Sequence, residues 1–117
     1  SKVHANQGGK TTDLYWVGCY NDDDQRDLKF GPGTGGYTGY TTTTCLKACR
    51  DFMFMALQRT KCFCGNDYNT EPHYAPLQDH ECGSVCMGEE HLSPTRYCGN
   101  GRKNAVYFTG RKGNRFL

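Results

Sequence analysis

The sequence predicts a small disulfide-rich α+β domain, one short helix stapled onto a small antiparallel β-sheet, with long loops between. Three observations predict it. Eight cysteines fall in a chain of 117 residues, and an even count in so short a chain reads as a disulfide framework made in an oxidising compartment. Only 36% of the residues are apolar while 13% are aromatic. That is too little aliphatic surface for a large core and too many rings for a disordered chain. Finally, a C-x3-C at Cys45 and Cys49 is followed closely by a C-x-C at Cys62 and Cys64.

The cysteine spacing carries the geometry. Residues four apart on a helix point the same way, about 6 Å apart along the axis. Residues two apart on a strand share a face and lie about 6.6 Å apart. A helix bearing the first pair can therefore lie on a strand bearing the second and be bonded to it twice with little strain. Helix direction decides whether Cys45 joins Cys62 or Cys64, so spacing alone leaves both pairings open.

The elements follow in order. Residues 1–13 lack periodicity and read as a flexible N-terminal extension. "LYWVGCY" (14–20) is an aromatic, apolar first strand. A Gly-rich loop runs to Tyr40, and loops of that length often hold binding groups. In "TTTTCLKACRDF", a Thr at 42–44 serves as N-cap, and Cys45, Ala48, Cys49 and Phe52 share one helical face. "MFMALQ", the turn at Arg59–Thr60 and "KCFCG" form a hairpin. Residues 65–104 are mostly turns, "NAVYFTG" (104–110) is a last strand, and 111–117 form a basic C-terminal tail. One domain spans 14–110.

Composition narrows function. The net charge is +2, from 14 basic and 12 acidic residues with His neutral, which implies no nucleic-acid partner. The acidic run "NDDDQRD" and the basic tail read as solvated faces. No apolar stretch approaches the roughly 18 residues of a membrane span, so no membrane insertion is expected. Ser1 opens a polar segment, as in a mature secreted chain whose leader is gone. No N-glycosylation sequon occurs.

Catalysis finds no support. A nucleophile needs a free thiolate or an activated Ser beside a base, and neither G-x-S-x-G nor H-E-x-x-H occurs. His80, Glu81, Glu89, Glu90 and His91 could be grouped as an acid–base set, but they read as surface residues of a loop region. His80, Cys82, Cys86 and His91 stand in loose zinc-like order. An even disulfide set claims both cysteines, so no metal and no cofactor is expected.

The aromatics are the functional lead. Sugar rings stack their CH faces on Tyr and Trp, while their hydroxyls need amide, carboxylate or guanidinium partners. Tyr37 and Tyr40 sit in the Gly-rich loop. Tyr68 and Tyr74 sit beside Asn66, Asp67 and Asn69, and Arg59 supplies a guanidinium on the hairpin turn. Trp16 and Tyr20 flank Cys19 and read as structural.

The chain also resembles a known family, the WSC domain, an eight-cysteine module of fungal cell-wall stress sensors and Kremen-type receptors. "WVGCY" (16–20), Arg26-x-Leu28, "TTTTCLKAC", "MALQRTKCFCGN", Cys82-x3-Cys86, Cys98-Gly99 and Val106-Tyr107 carry the resemblance. Ala56, Lys61 and the segment between Cys86 and Cys98 depart from the family pattern. The resemblance implies the bridges Cys19–Cys82, Cys45–Cys62, Cys49–Cys64 and Cys86–Cys98. It also implies a secreted, extracellular, lectin-like module that binds cell-wall or matrix polysaccharide. The alternative is a module that binds an extracellular protein, through the basic tail, the Gly-rich loop or an apolar patch including Met87 or Leu92. A small toxin acting through the C-terminal cations is a third class.

Overall fold

The computed structural model describes residues 2–7 and 10–110. Seven elements follow one another: β1 (Lys2–Gln7), β2 (Lys10–Asn21), α1 (Thr42–Ala48), β3 (Phe54–Gln58), β4 (Lys61–Gly65), β5 (Pro76–Leu77) and β6 (Lys103–Phe108). The strands form one antiparallel sheet in the order β1-β2-β6-β3-β4, with β5 pairing β2. The first strand is longer than the sequence implies. It begins at Lys10 rather than Leu14 and pairs with Lys2–Gln7, inside the segment read as an extension. The basic tail 111–117 lies outside the described residues.

Alternation along the strands divides the sheet into two faces. Met55, Leu57, Cys62, Cys64, Ala105 and Tyr107 point to the side that carries α1 and are sealed from water. All four disulfides join this cluster: Cys19–Cys82, Cys45–Cys62, Cys49–Cys64 and Cys86–Cys98. Two of them are the helix-to-strand staple, in the uncrossed pairing. Ala56, Phe63 and Val106 point the other way, where Leu28 from the long loop covers them.

The helix is shorter than the periodicity implies. Thr41, one residue before the expected caps, holds the N-cap and forms a reciprocal capping box with Thr44. Cys49 ends the helix and Phe52 lies beyond it. A second cap comes from far along the chain. Glu89 Oε1 accepts from Thr42 N (3.0 Å) and Thr42 Oγ1 (2.8 Å), while Oε2 accepts from Thr43 N (3.1 Å) and Thr43 Oγ1 (2.6 Å). Arg96 Nη1 donates to Thr42 Oγ1 at 2.7 Å and lies 3.8 Å from Glu89 Oε2. Both charged side chains are buried, and burial pulls the guanidinium below its usual range. Glu89 is thus no surface residue: the loop closed by Cys86–Cys98 turns it inward to satisfy the first-turn donors that a helix leaves unpaired.

Gly99 shows how tightly that loop meets the sheet. Its φ is +71°, and a Cβ there would stand 2.0 Å from Leu57 O, so only glycine fits.

Candidate functional site

The face away from α1 is half open, and its open part is aromatic. Strand register places Tyr15 opposite Phe108 and Phe108 opposite Phe54, so three rings cross three strands in one row. Their centroids are 5.8 and 5.6 Å apart. The row continues through Tyr68, 4.8 Å from Phe54, to Tyr20, 5.3 Å from Tyr68. These spacings and tilts of 40–68° lie in the favourable range for ring pairs. All five rings are half-buried, with Val17 packed on the same cluster. Tyr20, Phe54 and Tyr68 pack on the cluster of Leu28, Ala56, Phe63 and Val106, and part of each ring remains in contact with solvent.

Tyr68 reaches the row from a loop held by one buried and one half-buried side chain. Asp27, 3% exposed, accepts from Asn69 N (2.6 Å), Thr70 N (2.9 Å) and Thr70 Oγ1 (2.6 Å). Asn66 Oδ1 accepts from Met53 N at 2.9 Å, which pins the loop's start to the sheet. Between them Asp67 is exposed, one of its oxygens accepting from Tyr68 N at 2.8 Å. Burial, then the neighbouring Tyr68 hydroxyl, pushes the Tyr20 hydroxyl up, so it stays a protonated donor at neutral pH. The strip thus offers apolar ring faces with three phenol hydroxyls, those of Tyr15, Tyr20 and Tyr68, and one carboxylate beside them.

The structure divides the residues singled out from sequence. Tyr68 lies in the strip and Asp67 at its rim, while Asn66 is spent on holding the loop. Tyr74 is a correction: it is 2% exposed, its hydroxyl donates to Asp23 Oδ1 at 2.7 Å, and burial followed by that carboxylate pushes its phenol far up. Its ring is no platform. Tyr37 is 67% exposed. Tyr40 is half-buried against the helix-side cluster, and its N donates to Thr60 O at 3.0 Å. Arg59, exposed, begins the β3–β4 turn with φ +57°. The Tyr37–Tyr40 loop therefore meets the hairpin turn, while Tyr68 packs on the opposite face. The seven do not form one site.

Tyr15, Phe54 and Phe108 were not singled out, because only strand register shows that they meet; Tyr20, read as structural, ends the same row. Of the paper acid–base set, His80, Glu90 and His91 are exposed and Glu81 is half-buried with Lys103 Nζ at 3.5 Å. Cys82 and Cys86, the sulfurs of the zinc-like order, are both in disulfides. The Sγ atoms of Cys45, Cys49 and Cys62 lie within 4.8 Å of one another, but these too are disulfide sulfurs. Among the described residues, no helix is long and apolar enough to cross a membrane.

Comparison with known proteins sets this geometry in a family. Residues 16–100 match the family model of the WSC domain. Two curated relatives are similar over 97 residues: Xylosyltransferase oxt of Drosophila pseudoobscura pseudoobscura at 30% identity, and Xylosyltransferase oxt of Drosophila melanogaster at 27%. Each match covers 80% of this chain, and the chain spans about a tenth (10%) of the length of either relative.

Proposed function

The chain belongs to the WSC domain family, and from that premise we propose that it is a secreted, non-catalytic, lectin-like module for cell-wall or matrix polysaccharide. The observation that carries this reading is the five-ring strip. A protein with a sealed core elsewhere leaves five contiguous aromatic rings half in water, three of them phenols, beside a carboxylate. Sugars present that combination in reverse, with apolar CH faces edged by hydroxyls. Contact is shallow and multivalent, with Phe54 and Tyr68 at its centre and Asp67 accepting from sugar hydroxyls. Tyr37 and Arg59 lie outside the strip and are secondary contacts.

The match to the xylosyltransferases covers only a small part of each, so their activity is not carried to this chain. The disulfide framework supports a route through the secretory pathway. A second reading, binding of an extracellular protein, is favoured by one observation: Met87 is 79% and Val85 41% exposed around Cys86.

The test is affinity electrophoresis and pull-down of the unreduced protein on β-glucan, chitin and cellulose. Tyr68→Ala and Phe54→Ala should each weaken retention several-fold. Retention by none of these polysaccharides would reject the carbohydrate reading and favour a protein partner at Met87.

A further inference from the structure

A second aromatic surface lies on the opposite side of the sheet. Phe30 pairs directly with Cys64 through two backbone hydrogen bonds, 3.0 and 2.7 Å. Opposed residues of an antiparallel pair project to the same face, and Cys64 points towards α1, where it is bonded to Cys49. Phe30 therefore stands on the helix side. There it stacks on Phe52, just past the helix end, with centroids 5.2 Å apart and planes at 24°. Unlike the tilted rings of the strip, this pair is nearly flat, and Phe30 is 56% exposed.

The residues beside it in the chain carry charge of one predominant sign. Lys29, Lys47 and Arg50 are exposed, against one exposed acid, Asp51. Lys29, the residue before Phe30, has its Nζ held by the carbonyl oxygens of Gln25 (3.1 Å) and Arg26 (2.7 Å). Phenylalanine has no hydrogen-bonding handle, so a partner must bring an apolar face to the ring and negative charge to the cations.

We propose that the Phe30–Phe52 pair, with Lys29, Lys47 and Arg50, is a second binding surface, one that takes a carboxylated polysaccharide independently of the strip. A polyuronate chain meets both demands, since each residue offers a CH face and a carboxylate. Because the two surfaces lie on opposite faces, one module can hold two chains at once. This extends the carbohydrate reading above and rests on it for the class of polymer.

The experiment is affinity electrophoresis of the full chain in gels containing polygalacturonate, neutral β-glucan or poly-glutamate. Phe30→Ala, Arg50→Glu and Tyr68→Ala are compared at two salt concentrations. Phe30→Ala should weaken polygalacturonate retention about fivefold while β-glucan retention is unchanged. Arg50→Glu should weaken it too and reduce its dependence on salt. Tyr68→Ala should do the reverse, losing β-glucan and keeping polygalacturonate. Polygalacturonate retention unaffected by Phe30→Ala, or retention lost in Tyr68→Ala, overturns the second surface while leaving the first intact. Poly-glutamate held as tightly as polygalacturonate, through Phe30, overturns the sugar and assigns an acidic peptide. If neither polysaccharide is retained at all, the second surface fails, and the strip is judged separately on chitin and cellulose. Near-ultraviolet circular dichroism of each variant separates lost binding from lost fold.

Discussion

The two faces of one sheet differ in what holds them. On the helix side every disulfide of the protein meets a sealed cluster in which Cys45, Cys49, Met55, Leu57 and Tyr107 have no accessible surface. On the other side, buried Phe63 and Val106 give way to rings that remain half in water. The difference shows how so small a domain can expose aromatic surface. Cross-links restrict the unfolded chain and stabilise one face, so the second face need not be sealed. Rings that a cross-link-free domain of this size would have to bury are left available to a ligand.

That contrast is most readily broken from the sealed side. Glu89→Ala removes four hydrogen bonds to the first turn of α1 and leaves Arg96 buried without its counter-charge. Unfolding in urea should show a loss of about 3–5 kcal/mol. Replacing both partners, Glu89→Leu with Arg96→Met, should recover most of that loss, because the desolvation of two charges disappears with them. Next in size, the paired change Cys45→Ala and Cys62→Ala opens a bridge of sequence separation 17 and should cost about 3 kcal/mol.

Changes on the open face should be smaller for stability and larger for binding. Tyr68→Ala removes two ring contacts, with Tyr20 and Phe54, and should cost about 1–2 kcal/mol by thermal denaturation. Equal destabilisation by Tyr68→Ala and by opening a bridge would erase the distinction between the faces.

The smallest effect concerns acid. The Tyr74 hydroxyl, above all, holds the Asp23 carboxyl below its ordinary range. A carboxyl depressed in the folded state stabilises the fold above about pH 4, its ordinary value, and that contribution disappears as pH falls through the folded value. Asp23→Asn should therefore flatten the acid limb of stability against pH below about pH 4 and leave the neutral limb's slope alone.

What the sequence made legible were features that repeat at short range. The C-x3-C and C-x-C spacings each concern residues on a single element, so the staple could be derived from helix and strand geometry. The strip could not, because Tyr15, Phe54 and Phe108 are far apart in sequence and only the order β2-β6-β3 brings them side by side. Tyr74 misled for a similar reason: it sits in a turn-rich segment, but Asp23, which accepts the hydrogen bond from its hydroxyl, arrives from 51 positions away. Glu89 looked like a loop charge because Thr42, which joins it to Arg96, lies on the other side of the staple in sequence. Charges on a turn-rich segment read as solvated unless the partner is known.

The order β1-β2-β6-β3-β4 places the final strand of the domain in the middle of the sheet. During synthesis, the residues from Cys45 to Cys64 leave the ribosome together and can close their two bridges from local contacts alone. The sheet cannot close until β6 has emerged and slid between β2 and β3, pairings of high sequence separation that form slowly. Until then the nascent chain exposes the inner edges of β2 and β3, along with both ring surfaces. The inner edges of β2 and β3 are therefore covered only when β6, the last of the described strands, arrives.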